Sequence, residues 1–223
     1  MDKDKQFAVF QKLCIDILAE SDNCEASQKA FKEAKTIPAL VQAWRTFLSG
    51  VIHEVPLQVK EAFATFYADY KAEINVSDLY YNEDPIQDHR CMVLVGDAPR
   101  GKEDDVLTIY GNHHVYVIGN QKVTVRDSCH VTVSADDARV TVADHAIATI
   151  EKGFIEAWGR AQVSGHGDIT CHNSTVVSID GGVVHDHGHL QILAYNDSLV
   201  DSFTKRRVML YDKATLQLRP REK

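Results

Sequence analysis

From Gly111 to Arg219 the chain repeats itself about every eight residues. Cut before each turn residue, the middle reads DSCHVTVSA, DDARVTVA, DHAIATIE, KGFIEAW and GRAQVSGH, preceded by GNHHVYVI and GNQKVTVR. Each unit holds a turn residue (Gly, Asn or Asp), a polar residue, a small or apolar residue, and then a run in which apolar and polar side chains alternate. Alternation marks a strand with one buried face, so Ala138, Val140 and Val142 are expected inside and Arg139 and Thr141 outside. Only three or four residues join successive strands, too few for a crossover helix. The choice therefore lies between an antiparallel meander and a continuously coiled β-solenoid. Fourteen units with the same residue types in phase favour the solenoid, because stacked coils place like positions over one another.

Three units fall short of eight residues: Lys152 to Trp158, Gly167 to His172 and Gly181 to His187, the sixth, eighth and tenth of the series. All are even-numbered, so two units per coil would stack them on one side, whereas three per coil would scatter them. The expected coil is two-sided and about sixteen residues long, with seven coils from Gly111 to Arg219. Seven coils at the inter-strand spacing make a rod of roughly 34 Å.

In this style of repeat the chain resembles uncharacterised bacterial proteins, often prophage-encoded, with runs such as G-x-A-x-V-x-A, and its general shape resembles the bactofilins. The likeness covers roughly the C-terminal half. It implies a β-solenoid, self-association and a mobile-element origin, and it supplies no catalytic residue.

Upstream the period changes. Phe7, Phe10, Leu13, Cys14, Ile17 and Leu18 follow one another at three- and four-residue spacings, the stripe of an amphipathic helix from Asp2 to Ser21. Ser21-Asp22-Asn23 is expected to end it and cap a second helix from Cys24 to Lys35. Thr36 before Ile37-Pro38 starts a third, with Leu40, Val41, Trp44, Phe47 and Leu48 inward and Val51 and Ile52 beyond. Pro56 opens a fourth, with Val59, Phe63, Phe66, Tyr67 and Tyr70 inward. The expected fold class is thus α+β, a small helical domain at 1–76 and a parallel β-solenoid at 106–223. Between them, 77–105 reads as a polar linker (DLYYNEDPIQDHR) and a short buried strand, CMVLV, that covers the first coil. The open ends of a solenoid are exposed strand edges. The helical domain with CMVLV is expected to cap the first end, and the basic KRR and RPREK the second.

No apolar run is long enough to cross a membrane and the N-terminus is charged, which points to a cytoplasmic protein. The five cysteines are odd in number, dispersed and without a C-x-x-C pair, the usage of a reducing compartment. Cys14 and Cys129 fall on inward positions. The net charge of −8 is unevenly spread: residues 101–203 hold 6 basic against 14 acidic side chains, while 204–223 hold 7 against 2. An acidic body argues against direct nucleic-acid binding.

Histidine is the residue type that stands out, with nine of eleven inside the repeat. Cys171, His172, His185, Asp186, His187 and His189 form the candidate metal-ligating cluster. Alignment of the units puts Cys171 and His185 at the same position two units apart, with His172 and His187 at one corner, a donor set suited to Zn²⁺. No other cofactor is implied. Asp168 and Asp186 are candidate catalytic carboxylates and Ser164 and Ser174 candidate nucleophiles, but none lies in a nucleophile motif. Thr124, Thr132, Thr141, Thr149, Ser164 and Ser178 form an outward hydroxyl ladder, read as cross-strand pairing.

Three functions compete on these residues. The first is a non-enzymatic interaction or structural module, a helical head on a rigid acidic rod that binds a protein partner or itself. The second is an acidic mimic of DNA that inhibits a nucleic-acid enzyme. The third is a metal-dependent hydrolase or transferase using the 171–189 cluster.

Overall fold

The computed structural model describes residues 3–20, 25–50, 57–173 and 175–220. Among these described residues four helices come first: α1 (Lys3–Glu20), α2 (Glu25–Glu33), α3 (Ile37–Gly50) and α4 (Leu57–Asn75). Thr36 caps α3, its Oγ1 accepting from the Ala39 N–H at 3.3 Å. Phe10, Phe31, Trp44, Phe63 and Phe66 meet in one core, with Phe10 stacked on Phe66 at 4.4 Å between ring centroids. The expected break at 21–23, Cys24, Val51, Ile52 and Pro56 lie outside the described residues. So do the side chains of Ile17, Leu18, Phe47, Leu48 and Val59.

Fifteen strands follow: β1 (Leu79–Tyr81), β2 (Met92–Val95), β3 (Leu107–Ile109), β4 (His114–Val117), β5 (Val123–Val125), β6 (His130–Val133), β7 (Arg139–Val142) and β8 (Ile147–Ile150), then β9 (Phe154–Ala157), β10 (Gln162–Cys171), β11 (Val176–Asp186), β12 (Gln191–Tyr195), β13 (Leu199–Ser202), β14 (Val208–Leu210) and β15 (Thr215–Leu218). All pairings are parallel, and they form two rows. One row runs β1, β2, β4, β6, β8, the first half of β10, the first half of β11, β12 and β14. The other runs β3, β5, β7, β9, the second halves of β10 and β11, β13 and β15. Two units therefore make one coil, and the result is a parallel β-solenoid of about nine turns. The count exceeds seven because β1, β2 and β3, upstream of the regular repeat, join the rows. Leu79–Tyr81, within the stretch read as a linker, is the first strand of the rod.

The inward side chains behave as the alternation requires. Val131, Val133, Val140, Val142, Ile155, Val177 and Ile179 belong to one continuous apolar core between the rows. The shortened units stack on one side, at the corner containing Gly153, Gly167 and Gly182. A Cβ on Gly182 would stand 2.3 Å from the Gly167 carbonyl oxygen, so the tight corner admits only glycine there. At another corner the units begin on residues with positive φ, among them Asp127 at 57°, Asp144 at 60° and Asn173 at 60°. Left-handed backbone favours Gly, Asn and Asp, which is the physical origin of the turn residue in the repeat.

The outward hydroxyls form two columns rather than one. Thr108, Thr124 and Thr141 stack on one row; Thr132, Thr149, Ser164 and Ser178 stack on the other. Alternate units lie on opposite rows, so the single ladder read from sequence divides.

The helical domain packs on the flank of the first coils. Leu79, Met92 and Leu94 face away from the rod and join the core of Phe10, Trp44 and Phe63, with Tyr81 and Tyr116 against it. All four residues of β2 are buried, since one face meets the rod interior and the other the helices. Among the described residues no helix is long and apolar enough to cross a membrane.

Candidate functional site

The six residues singled out for metal binding occupy three environments. The register places Cys171 on Asp186, and Thr170 on His185, one residue away from the alignment expected from sequence. The cause is the irregularity between Gly165 and Gly167, which shifts the pairing of β10 with β11.

Cys171 and Asp186 point into the rod. Their column begins with Ile109, Val125, Val142 and Ala157 and then turns polar, through Cys171, Asp186 and Ser202, before ending on Leu218. A carboxylate inside a β-solenoid needs partners. Asp186 Oδ1 accepts from the Gly188 N–H at 2.8 Å and from the Cys171 thiol at 3.6 Å. Its Oδ2 faces His189 Nδ1 at 2.8 Å and accepts from the Ser202 hydroxyl. Burial would raise the Asp186 pKa, but the bonds from His189 and Ser202 outweigh it and hold the carboxyl below its ordinary range. Burial, with the Asp186 charge adding, pushes the Cys171 thiol up, so it remains protonated.

His189 Nε2 lies 2.8 Å from the Arg206 carbonyl oxygen. Both ring nitrogens thus face acceptors that have no hydrogen to give, an arrangement that only the doubly protonated ring satisfies. Its pKa is raised accordingly, chiefly by the bond to Asp186 against the opposing effect of burial. Ser202 bonds to the carboxylate and not to the imidazole. Chemically the group is a buried imidazolium–carboxylate latch that ties the 204–207 turn to the preceding coil.

His172 and His187 lie at the adjoining corner, outside the core. Trp158 stacks on His172 at 3.7 Å with 7° between planes, His172 on His187 at 5.2 Å, and His187 meets Phe203 edge-on at 6.4 Å. The Arg219 guanidinium covers Phe203 at 4.2 Å from the ring centroid. These residues close every second unit, the sixth, eighth, tenth and twelfth, so unit alignment extends the corner expected for His172 and His187 to Trp158 and Phe203. His172 also bonds Glu156 at 3.1 Å. His185 lies on the outward face of β11, 3.7 Å from Asp201. Asp168 is exposed, Ser164 sits in a hydroxyl column, and Ser174 lies outside the described residues.

A groove of about 410 Å³ opens above the latch, lined by Asp186, His187, His189, Phe203, Arg206 and Arg207. It borders the end of the rod. There, among the described residues, β14 pairs only with β12 and β15 only with β13, so both present an edge that no described strand pairs. Leu210 and Leu218 hold inward positions yet are 39% and 54% exposed. Lys205, Arg206 and Arg207 are exposed around them, whereas Arg219 turns to Asp201, Nε to Oδ1 at 2.8 Å. Arg221 and Lys223 lie outside the described residues.

Sequence reasoning passed over a second donor group, Asp78, His89 and Cys91, whose ligand atoms lie within 4.8 Å of one another. The signal was a His-x-Cys entering a buried strand. Comparison with protein-family models, with curated proteins and with solved structures finds no match to this chain.

Proposed function

We propose that this chain is a non-enzymatic protein-interaction module, in which the helical domain buttresses a rigid rod and the open last coil receives the partner. The reading rests on one observation: among the described residues β14 and β15 have unpaired edges while their own inward side chains, Leu210 and Leu218, stay exposed. An extended segment added to such an edge gains main-chain hydrogen bonds and covers the apolar residues in the same step. The rim of Lys205, Arg206 and Arg207 selects an acidic segment. Two copies meeting by their last coils would bring these cations together, which favours a different protein over self-association.

The acidic-mimic alternative draws less support, because Asp127, Asp136, Asp137 and Asp144 sit in turns while the flat faces carry Thr, Ser and His. Affinity purification from the native host, with wild type beside a Leu210→Lys, Leu218→Lys double variant, tests the reading. Both positions are exposed, so the variant should fold as wild type and lose the partner. A partner retained by the variant would refute the open-end reading; light scattering on the same proteins separates self-association from binding of another protein.

A further inference from the structure

Asp78 precedes β1 and Cys91 precedes β2. The register pairs Leu79 with Met92, so Asp78 and Cys91 lie side by side, and the Met92 N–H donates to the Asp78 carbonyl at 2.9 Å. The chain between them leaves the rod at 82–90 and returns through His89, whose Nε2 comes to 2.7 Å from Asp78 Oδ1. The Cys91 thiol donates to the His89 carbonyl at 3.5 Å. One ligand atom from each residue therefore falls within 4.8 Å of the other two, and among the described residues no second group of three or more such side chains does so.

From this geometry we propose that Asp78, His89 and Cys91 bind a single divalent transition metal, Zn²⁺ by the chemistry of the donors. Ligands at ~2.0–2.3 Å around tetrahedral zinc stand ~3.3–3.8 Å apart. The present spacing brackets that range: His89 would withdraw from Asp78 by a fraction of an ångström, and the wider separations, all within 4.8 Å, would close by up to about 1 Å. His89 is exposed and free to do so. A thiolate, a carboxylate and a neutral imidazole exactly offset the two charges of the ion, which suits a site whose sulfur lies in the core. Cys91 binds as the thiolate, so metal uptake releases a proton. Arg45 faces the other oxygen of Asp78, Oδ2, at 3.8 Å, which leaves Oδ1 for the ion.

Position gives the site a role. Asp78 follows α4 by three residues, and Arg45 of α3 donates to the Ser77 carbonyl at 2.9 Å. Cys91 borders the cleft of about 330 Å³ between helices and rod, with Gln42, Arg45, Arg90 and Tyr116. A metal here fastens the joint at which the helical domain meets the first coil.

Chelator-stripped full-length protein titrated with Co²⁺ should take up one equivalent and show thiolate-to-cobalt absorption. His89→Gln, a change at an exposed side chain that leaves the fold intact, should weaken Co²⁺ binding about tenfold or more. Cys91→Ser should remove the thiolate absorption, and if that variant fails to fold, His89→Gln carries the test alone. A His185→Ala, His187→Ala double variant should bind as wild type. The proposal is overturned if stripped protein takes up no cobalt, if cobalt binds without thiolate absorption, if His89→Gln binds as tightly as wild type, or if the double variant abolishes binding.

Discussion

At the first coil Ile109 is fully buried and Tyr80 is 6% exposed, whereas Leu218, at the far end of the column that Ile109 begins, is 54% exposed. The difference lies in what covers each end. Between β1 and β2 the chain makes a long excursion that buries Pro85 and sends Gln87 Nε2 to the Tyr80 hydroxyl at 3.1 Å. The helices add a second layer on the flank, so β2 is buried on both faces. Among the described residues the last coil has neither excursion nor helix over it, and charge takes their place in Lys205, Arg206 and Arg207. Covering an edge closes it to every comer, while charging it excludes some partners and admits others.

The comparison presupposes one continuous interior, and the largest effect tests that. Val140→Asp should destabilise the protein by about 4 kcal/mol or more, because an unpaired carboxylate would enter a dry core, while Thr141→Asp next to it should change stability by less than about 0.5 kcal/mol. Equal melting shifts would contradict the inward–outward assignment. Next come the ends themselves. Tyr80→Ala should cost about 3–5 kcal/mol, since it empties a closed site, and Leu218→Ala under about 1 kcal/mol, since half of that side chain already meets water. Comparable losses in urea unfolding would mean that the two ends are equally closed.

How the open end is held together should depend on pH. His189 has a raised folded-state pKa, so its contribution is complete below the ordinary histidine value of ~6.5 and is lost as pH rises through the higher folded value. Asp186 has a lowered one, so its contribution is complete above ~3.9 and is lost as pH falls through the lower folded value. The charges facing the pair are Arg207 beside His189 and Arg219, whose Nη2 donates to the Asp186 carbonyl at 2.7 Å; Cys171 stays neutral. Protection of the Thr204 and Arg206 amides against hydrogen exchange should therefore be greatest between those limits and fall on the alkaline side, with Tyr80 amide protection unchanged. His189→Gln should abolish the alkaline loss. The smallest effect on stability is expected from Arg206→Glu with Arg207→Glu, within about 0.5 kcal/mol for exposed positions. Binding of an acidic partner should nevertheless weaken in this variant, and wild-type binding should weaken with added salt.

Much of the rod was legible because its constraints are local. Alternation in RVTV and HVTV fixed which side chains enter the core, and Asp127, Asp144 and Asn173 marked the left-handed corner. The even-numbered short units gave two strands per coil. What escaped depends on contacts across the fold. LYY at 79–81 is too short to show a period, and it is a strand because Met92, Val93 and Leu94 pair with it. The polar column of Cys171, Asp186 and Ser202 was hidden by a one-residue change of register at Gly165 to Gly167, which unit alignment does not detect. Of the expected donor set, only the placing of His172 and His187 at one corner was visible beforehand. The group at Asp78, His89 and Cys91 was obscured because its members are brought together by the excursion at 82–90.

The corner built on left-handed residues has a consequence for the length of the rod. Each coil there meets the next through the same backbone geometry, as when the His145 N–H reaches the Asp127 carbonyl and the Arg160 N–H the Asp144 carbonyl. A duplication or loss of one whole coil in the apolar middle of the rod would leave the remaining corner residues with equivalent neighbours. Reach is therefore a quantised variable, adjustable in steps of ~4.8 Å without redesign of either end. Variants one coil longer or shorter should fold alike and differ only in how far the basic rim stands from the helices, which makes the rod a spacer whose gauge is set by counting.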